Sequence, residues 1–126
     1  MKILVTGVAG QLGHDVMNEL ASRGHEGIGS DLAPEYNGIA DGTYVTKAAY
    51  VSMDITNRAS VAETLLKINP DAVIHCAAWT AVDAAEDDAN KDKVYNVNAT
   101  GTENIAAVCK DLDCKMMYIS TDYVFN

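Results

Sequence analysis

Chemistry is concentrated at two places in this chain. The first is TGVAGQLG, residues 6–13, where Gly7, Gly10 and Gly13 stand three apart. The second is YISTDYVFN, residues 118–126, where Ser120, Thr121 and Tyr123 bring hydroxyls and Asp122 a carboxylate to the end of an apolar run. Glycines at the first spacing can open backbone amides to an anion. Hydroxyls and a carboxylate at the second crowd hydrogen-bonding groups onto the tip of a strand.

In a strand–turn–helix setting each glycine has its own task. Gly7 permits the tight turn out of the strand, Gly10 lets a pyrophosphate approach the backbone, and Gly13 lets the helix pack close to the sheet. The helix N-terminus then offers unpaired N–H groups and a partial positive charge. Those groups matter because residues 6–13 contain no Lys or Arg. Glycine spacing alone is a weak signal. An apolar strand before it, an amphipathic helix after it and an acid at the next strand tip make a dinucleotide site the expectation. That acid is Asp31, eighteen residues past Gly13. Its carboxylate suits the ribose hydroxyls of NADH and opposes the 2′-phosphate of NADPH, because like charges ~4 Å apart cost up to ~4 kcal/mol at an effective dielectric near ~20. Residues 32–36 hold no Arg to welcome that phosphate, so NADH is the expected cofactor, with NADPH second.

The elements that must position these groups alternate. Lys2–Thr6 (KILVT) is a β-rich apolar run that Gly7 breaks. From Gln11 the apolar spacing turns helical through Leu12, Val16, Met17 and Leu20, and Gly24 stands where a C-terminal glycine cap belongs. Glu26–Ser30 is a glycine-thinned strand ending at Asp31, and residues 33–49 are expected to form an irregular polar excursion. Tyr50–Ile55 should be a third strand, with Thr56 capping a helix that carries Val61, Leu65 and Ile68. After Pro70-Asp71 comes a fourth strand, Ala72–Ala77, whose lack of polar alternation suits burial on both faces. A long helix from about Ala89 to Asp111 carries Val94, Val97, Ile105 and Val108, with Leu112 next in the same spacing, and Lys115–Ile119 is the fifth strand. Such alternation implies right-handed crossovers and a parallel sheet covered on both faces. The expected fold is therefore α/β: a doubly wound, Rossmann-type sheet of order 3-2-1-4-5, one dinucleotide-binding domain over residues 1–126. Ligands bind such sheets at the carboxyl ends of the strands, which singles out Thr6-Gly7, Asp31, Asp54, Ala77-Ala78 and Ser120-Thr121.

Bulk properties narrow the class. The chain is 48% hydrophobic and 21% charged with two prolines, an ordinary globular composition. A net charge of −9 argues against nucleic acid as a partner, because phosphate neutralisation needs clustered Lys and Arg. No apolar run reaches membrane-spanning length, and MKILVTG enters a strand with no cleavage-site pattern after it, so neither a membrane nor secretion is expected. Cys76, Cys109 and Cys114 are odd in number and lack C-x-x-C spacing, which fits reduced thiols in a cytoplasmic protein. His14, His25 and His75 lie on different elements with no carboxylate at ligand spacing, so no metal is expected. Asp83, Glu86, Asp87 and Asp88 precede the long helix and suit its N-terminal dipole. Trp79 fits a pocket wall and a core anchor equally.

TGxxGxxG at the first turn, Asp54-Ile55 after the third strand, HCAAWTAVDAAE at the fourth, NVNATGTENIA in the long helix and ISTDYVF at the fifth together resemble the extended short-chain dehydrogenase/reductase family, along essentially the whole chain. The specific part is AAWTAVDAAE with STDYVF, which resembles the members that reduce the 4-keto group of a 6-deoxy-hexose carried on dTDP. The resemblance implies that Gln11, Leu12 and Gly13 hold the pyrophosphate and that Asp31 takes the adenosine ribose. It implies that Asp54 and Ile55 flank the adenine, and that Cys76, Ala77 and Ala78 form a small-residue floor under the nicotinamide half. Thr121 corresponds to the family's active-site hydroxyl near the reacting carbonyl, and Asp122 and Tyr123, with Thr121, to residues beside the bound dTDP-sugar. Asn98 would fix the long helix against the fourth strand. In that family a tyrosine donates the proton, its pKa lowered by the lysine of a YxxxK motif.

The chain departs from that pattern. Four residues after Tyr36, Tyr44, Tyr50, Tyr95 and Tyr118 stand Ala40, Ala48, Asp54, Ala99 and Asp122, and Tyr123 has no residue at that offset. There is no YxxxK, which suggests an amino-terminal piece lacking the proton donor and the substrate domain, with a final strand at an exposed edge and a tendency to pair, such as in a homodimer. Two other readings compete: a sugar-nucleotide epimerase or dehydratase of the same family, and a non-catalytic NAD-binding regulatory subunit.

Overall fold

The computed structural model describes residues 1–76 and 88–119, with side chains described from residue 99 in the second segment. The elements run β1 (Lys2–Thr6), α1 (Gln11–Ser22), β2 (Glu26–Asp31), α2 (Tyr44–Lys47), β3 (Ala49–Ser52), α3 (Arg58–Ile68), β4 (Ala72–His75), α4 (Asp88–Asp111) and β5 (Lys115–Tyr118). The sheet has the expected order β3-β2-β1-β4-β5 and every pair is parallel.

Register decides what the sheet can present. Thr6 lies level with Ser30 on one side and His75 on the other, Asp31 with Ser52, and His75 with Tyr118. All five strands therefore release the chain at one edge, and the winding reverses on either side of β1. That edge is where a doubly wound sheet binds ligands.

The strand period of two divides the core between the faces. Ile3 and Val5 of β1 pack with Val8, Met17, Leu20, Val45 and Cys76 on the α1 side. Leu4 packs with Ile28, Met53, Val61, Leu65, Val73, Ile105, Val108 and Cys109 beneath α3 and α4. Burying one such aliphatic side chain stabilises the fold by about 1.5–3 kcal/mol, so the second cluster is the main anchor of the sheet.

Helix ends explain several boundaries. Helix α1 stops where Gly24 adopts φ +80°, with His25 N–H donating to the Leu20 carbonyl at 2.9 Å, a left-handed cap that closes the last turn. Asn57, not Thr56, caps α3: its side-chain oxygen accepts from the amides of Ala59 and Ser60 at 3.0 and 3.3 Å. Thr56 is drawn away from that role because its amide and its hydroxyl both donate to Asp54 Oδ1, at 3.0 and 2.6 Å. The third strand is also shorter than Tyr50–Ile55. It spans Ala49–Ser52, and the Asp54 turn takes over before Ile55. The fourth ends at His75 rather than Ala77. Within 33–49 the chain is not wholly irregular, since α2 forms one helical turn there and buries Val45. On α1 the expected apolar face packs inward, with Met17 and Leu20 buried and Leu12 and Val16 partly so, and His14 is buried as well.

Candidate cofactor-binding site

The glycine loop joins β1 to α1 at the release edge. Gly7 sits at φ 72°, a backbone state that L side chains rarely adopt. A Cβ at Gly13 would stand 2.3 Å from the Gly7 carbonyl oxygen and 2.7 Å from Val8 Cα, so any side chain would lift α1 off the loop. Gly10 differs. Its backbone is extended at φ −86°, and a Cβ there would meet only Gly7 O, at an ordinary 3.6 Å. The folded chain needs glycine at 7 and 13 but would itself tolerate a methyl at 10.

The loop amides divide the same way. Val8 N–H donates to Ser30 O, Ala9 N–H to Asp31 Oδ2, Gly10 N–H to Gly7 O and His14 N–H to Gly10 O. Between them the amides of Gln11, Leu12 and Gly13 precede the first complete helical turn and have no acceptor among the described residues. No side chain caps α1, and its first turn carries no acid. Three outward N–H groups at a helix start suit an anion such as a pyrophosphate.

Asp31 ends β2 beside this loop. Its Oδ2 accepts from Ala9 N–H at 3.1 Å and its Oδ1 from Leu32 N–H at 2.9 Å. A carboxylate offers about four lone-pair sites, so two remain for hydroxyl donors. Asp31 and the amides of Gln11 to Gly13 thus lie on one edge, physically tied through Ala9.

Asp54 and Ile55 follow β3 at the same edge but serve the α3–α4 side. Asp54 Oδ1 organises the turn into α3. The Ile55 carbonyl accepts from Asn104 Nδ2 at 2.9 Å, and its side chain covers Gly101, where a Cβ would come within 2.4 Å of Ile55 Cδ1. Both residues make structural contacts that spacing did not reveal.

Cys76 follows β4, buried, its amide donating to Thr6 Oγ1 at 3.1 Å. Burial pushes its thiol up to about 11, so it stays neutral, with no nucleophilic character. Beside it lies an arrangement that sequence reasoning missed. Thr6 Oγ1 stands 2.6 Å from His75 Nδ1, and His75 Nε2 stands 3.1 Å from Thr102 Oγ1. Assigning every donor, Thr6 donates to Nδ1 while Nε2–H donates to Thr102, which makes the imidazole neutral. Its pKa, lowered to about 4 by burial, agrees. The Tyr118 ring lies over it at 5.2 Å between centroids, and Ile119 N–H donates to the His75 carbonyl at 3.0 Å. The only signal in the sequence was that Thr6, His75 and Tyr118 fall in the last part of their strands.

Ala77, Ala78, Trp79, Thr121, Asp122 and Tyr123 lie outside the described residues, as does the side chain of Asn98. No group of three or more His, Cys, Asp or Glu among the described residues could hold a metal ion. No described helix is long and apolar enough to cross a membrane.

Known proteins share both sequence and geometry with this chain. It is 36% identical over 126 residues to a dTDP-4-dehydrorhamnose reductase of Shigella flexneri, covering 99% of this chain and 36% of that protein. A solved dTDP-4-dehydrorhamnose reductase from Clostridium acetobutylicum is 36% identical, with a TM-score of 0.71 over 98% of this chain and 37% of its own. A UDP-glucose-4-epimerase from Stenotrophomonas maltophila, solved with bound NAD, is 26% identical with a TM-score of 0.76, covering 100% of this chain and 38% of its own. Among the curated relatives it matches, the chain spans about a third of their length, from 32% to 39% in the first two. The model of the RmlD substrate binding domain matches residues 1–126, end to end, and the chain belongs to that family.

Proposed function

We propose that this chain is the dinucleotide-binding part of an NAD(P)H-dependent reductase of a dTDP-bound 4-keto-6-deoxy-hexose, converting dTDP-4-dehydrorhamnose to dTDP-L-rhamnose. The observation that carries the reading is the Gln11–Leu12–Gly13 amide cradle beside a Gly10 that the fold itself does not require. Identity of 36% to named dTDP-4-dehydrorhamnose reductases supports the substrate class.

When bound, the reduced nicotinamide supplies the hydride. The residues of this chain hold and orient it. The cradle takes the pyrophosphate charge through backbone dipoles, and Asp31, pinned by Ala9, accepts from the ribose hydroxyls. A carboxylate at that place supports NADH over NADPH. Cys76 gives a small, protonated residue for the nicotinamide half, a role the family pattern extends to Ala77 and Ala78 and, for the adenine, to Asp54 and Ile55. The family pattern assigns Thr121 as the hydroxyl for the reacting carbonyl, and Thr121, Asp122 and Tyr123 to recognition of the sugar nucleotide. Buried, protonated thiols at Cys76 and Cys109 fit a reducing, cytoplasmic setting.

The test is NADH oxidation by the intact protein with a dTDP-4-keto-6-deoxy-hexose. Stoichiometric NADH loss with a reduced sugar is expected. An epimerase, the second reading, favoured by the likeness to the NAD-bound epimerase, changes the sugar with no net NADH loss. Replacing Asp31 with Ala should narrow the NADH/NADPH preference by about tenfold or more; an unchanged ratio refutes its role.

A further inference from the structure

His14 is the fourth residue of α1, and its side chain is only 11% exposed. Both ring nitrogens meet carboxylates: Nδ1 stands 2.9 Å from Asp15 Oδ1, and Nε2 stands 2.7 Å from Asp41 Oδ2. Ionised carboxylates only accept, so both contacts are hydrogen bonds only when both nitrogens carry hydrogen. The Asn18 amide nitrogen, 3.4 Å from Nε2, is held instead by Thr43 Oγ1 at 3.0 Å and does not compete. The ring is therefore an imidazolium between two anions.

What it joins matters more than its charge. Asp41 belongs to the strap formed by residues 32–48, which runs from β2 back toward α1. On the strap side, Asp41 Oδ1 accepts from the Thr43 amide and hydroxyl, and Asn18 Oδ1 accepts from Val45 N–H. The strap presses Gly38 against the glycine loop so closely that a Cβ there would lie 2.7 Å from Ala9 Cα and 2.9 Å from its oxygen. Ala9 is the residue whose amide pins Asp31. On the helix side, Asp15 Oδ1 also accepts from Gln11 Nε2 at 2.9 Å. The ring thus joins Asp41 of the strap to Asp15, which in turn holds the Gln11 side chain, while the strap itself packs on the residue that pins Asp31.

We propose that His14 is a positioning residue for the dinucleotide: as an imidazolium it latches the strap over the glycine loop, so affinity for the cofactor falls when the ring loses its proton. The proposal rests on the dinucleotide reading above. Losing the proton turns one ring nitrogen into an acceptor facing a carboxylate, and the latch becomes a repulsion. Hydrogen bonds to Asp15 and then Asp41 raise the ring's pKa above its ordinary 6.5. The Thr43 hydroxyl and amide, followed by His14, hold Asp41 down at about 2, so it stays charged throughout. The ionised groups paired with the ring are Asp15 on α1 and Asp41 on the strap. The nearby Tyr36 hydroxyl, raised by burial and then by Asp41, donates to Ile39 O and stays neutral.

The experiment is calorimetric titration of the intact protein with NADH from about pH 6 to about pH 9, spanning the imidazole range. Wild type should weaken by about fivefold or more as pH rises, a modest coupling between sites. His14→Gln and Asp41→Asn should bind weakly and with no such slope, and His14→Arg, a permanent cation, should restore tight binding across the range. A pH-independent wild-type affinity, or the same slope in His14→Gln, overturns the latch. If His14→Gln does not fold, Asp41→Asn decides. If NADH binds at no pH, the cofactor reading fails, and the latch is judged by hydrogen exchange at the Thr43 and Val45 amides, corrected for intrinsic rates. Protection that falls as the ring deprotonates in wild type but not in His14→Arg upholds it; unchanged protection ends it.

Discussion

His14 and His75 lie on opposite faces of one sheet, both buried, yet their chemistry runs in opposite directions. His75 faces two hydroxyls under α4 and is held neutral, its pKa pushed down to about 4 by burial. His14 faces two carboxylates between α1 and the strap, and its pKa is raised. Burial alone lowers a histidine; only the partners reverse it. The two faces follow suit. The α3–α4 side is hydrocarbon with a neutral buried histidine, whereas among the described residues the α1 side carries the ion pairs, the open amides and the strap.

The largest effect that sharpens this contrast lies in the hydrocarbon face. Leu65, 1% exposed within the larger cluster, should cost about 2–5 kcal/mol on change to Ala, seen as a lower urea midpoint. A loss below about 1 kcal/mol would mean that this face is not the anchor.

Next is acid sensitivity. The unfolded His75 titrates near its ordinary 6.5 and the folded one at about 4. Between those values the unfolded chain binds more protons, so stability falls as pH drops. The loss is on the order of 3 kcal/mol by about pH 4. Replacement by Gln should flatten that part of a stability–pH curve. His14 has the opposite sign: its folded pKa is raised, so its contribution is complete below 6.5 and disappears as pH climbs through the folded value. In His14→Gln the alkaline decline should vanish while the acid limb stays. If both variants alter the same limb, the contrast between the faces is wrong.

The smallest stability effect should accompany a large binding effect. Gly10→Ala has room for its methyl and should change stability by less than about 1 kcal/mol. NADH affinity should nevertheless fall by about tenfold or more, because the methyl enters the ligand's path. Gly13→Ala should lower both together, since its Cβ would strike the loop. Equal binding losses without a stability difference would erase the distinction between the two glycines.

Much of this was readable from residue order. Period and punctuation located all five strands and the three longer helices, and parallel alternation implied their order. The misplacements are local and share a cause. Thr56 looked like the cap because hydroxyls cap helices, but Asp54 two residues earlier captures it and leaves the role to Asn57. The turn α2 escaped notice because one helical turn has no period; it forms because Val45 finds a buried place against α1.

Residue order suffices for the sheet, the glycine turn and the acid at the second strand tip, because each follows from local periodicity or from what one residue's backbone allows. Packing in three dimensions is what makes Gly10 dispensable to the fold and Gly13 not, sets Ala9 against Asp31, and leaves His14 charged and His75 neutral. The glycine distinction depends on how the loop folds back on itself, and the other contacts join atoms 22 to 69 positions apart in the chain, separations that carry no period for a sequence to display.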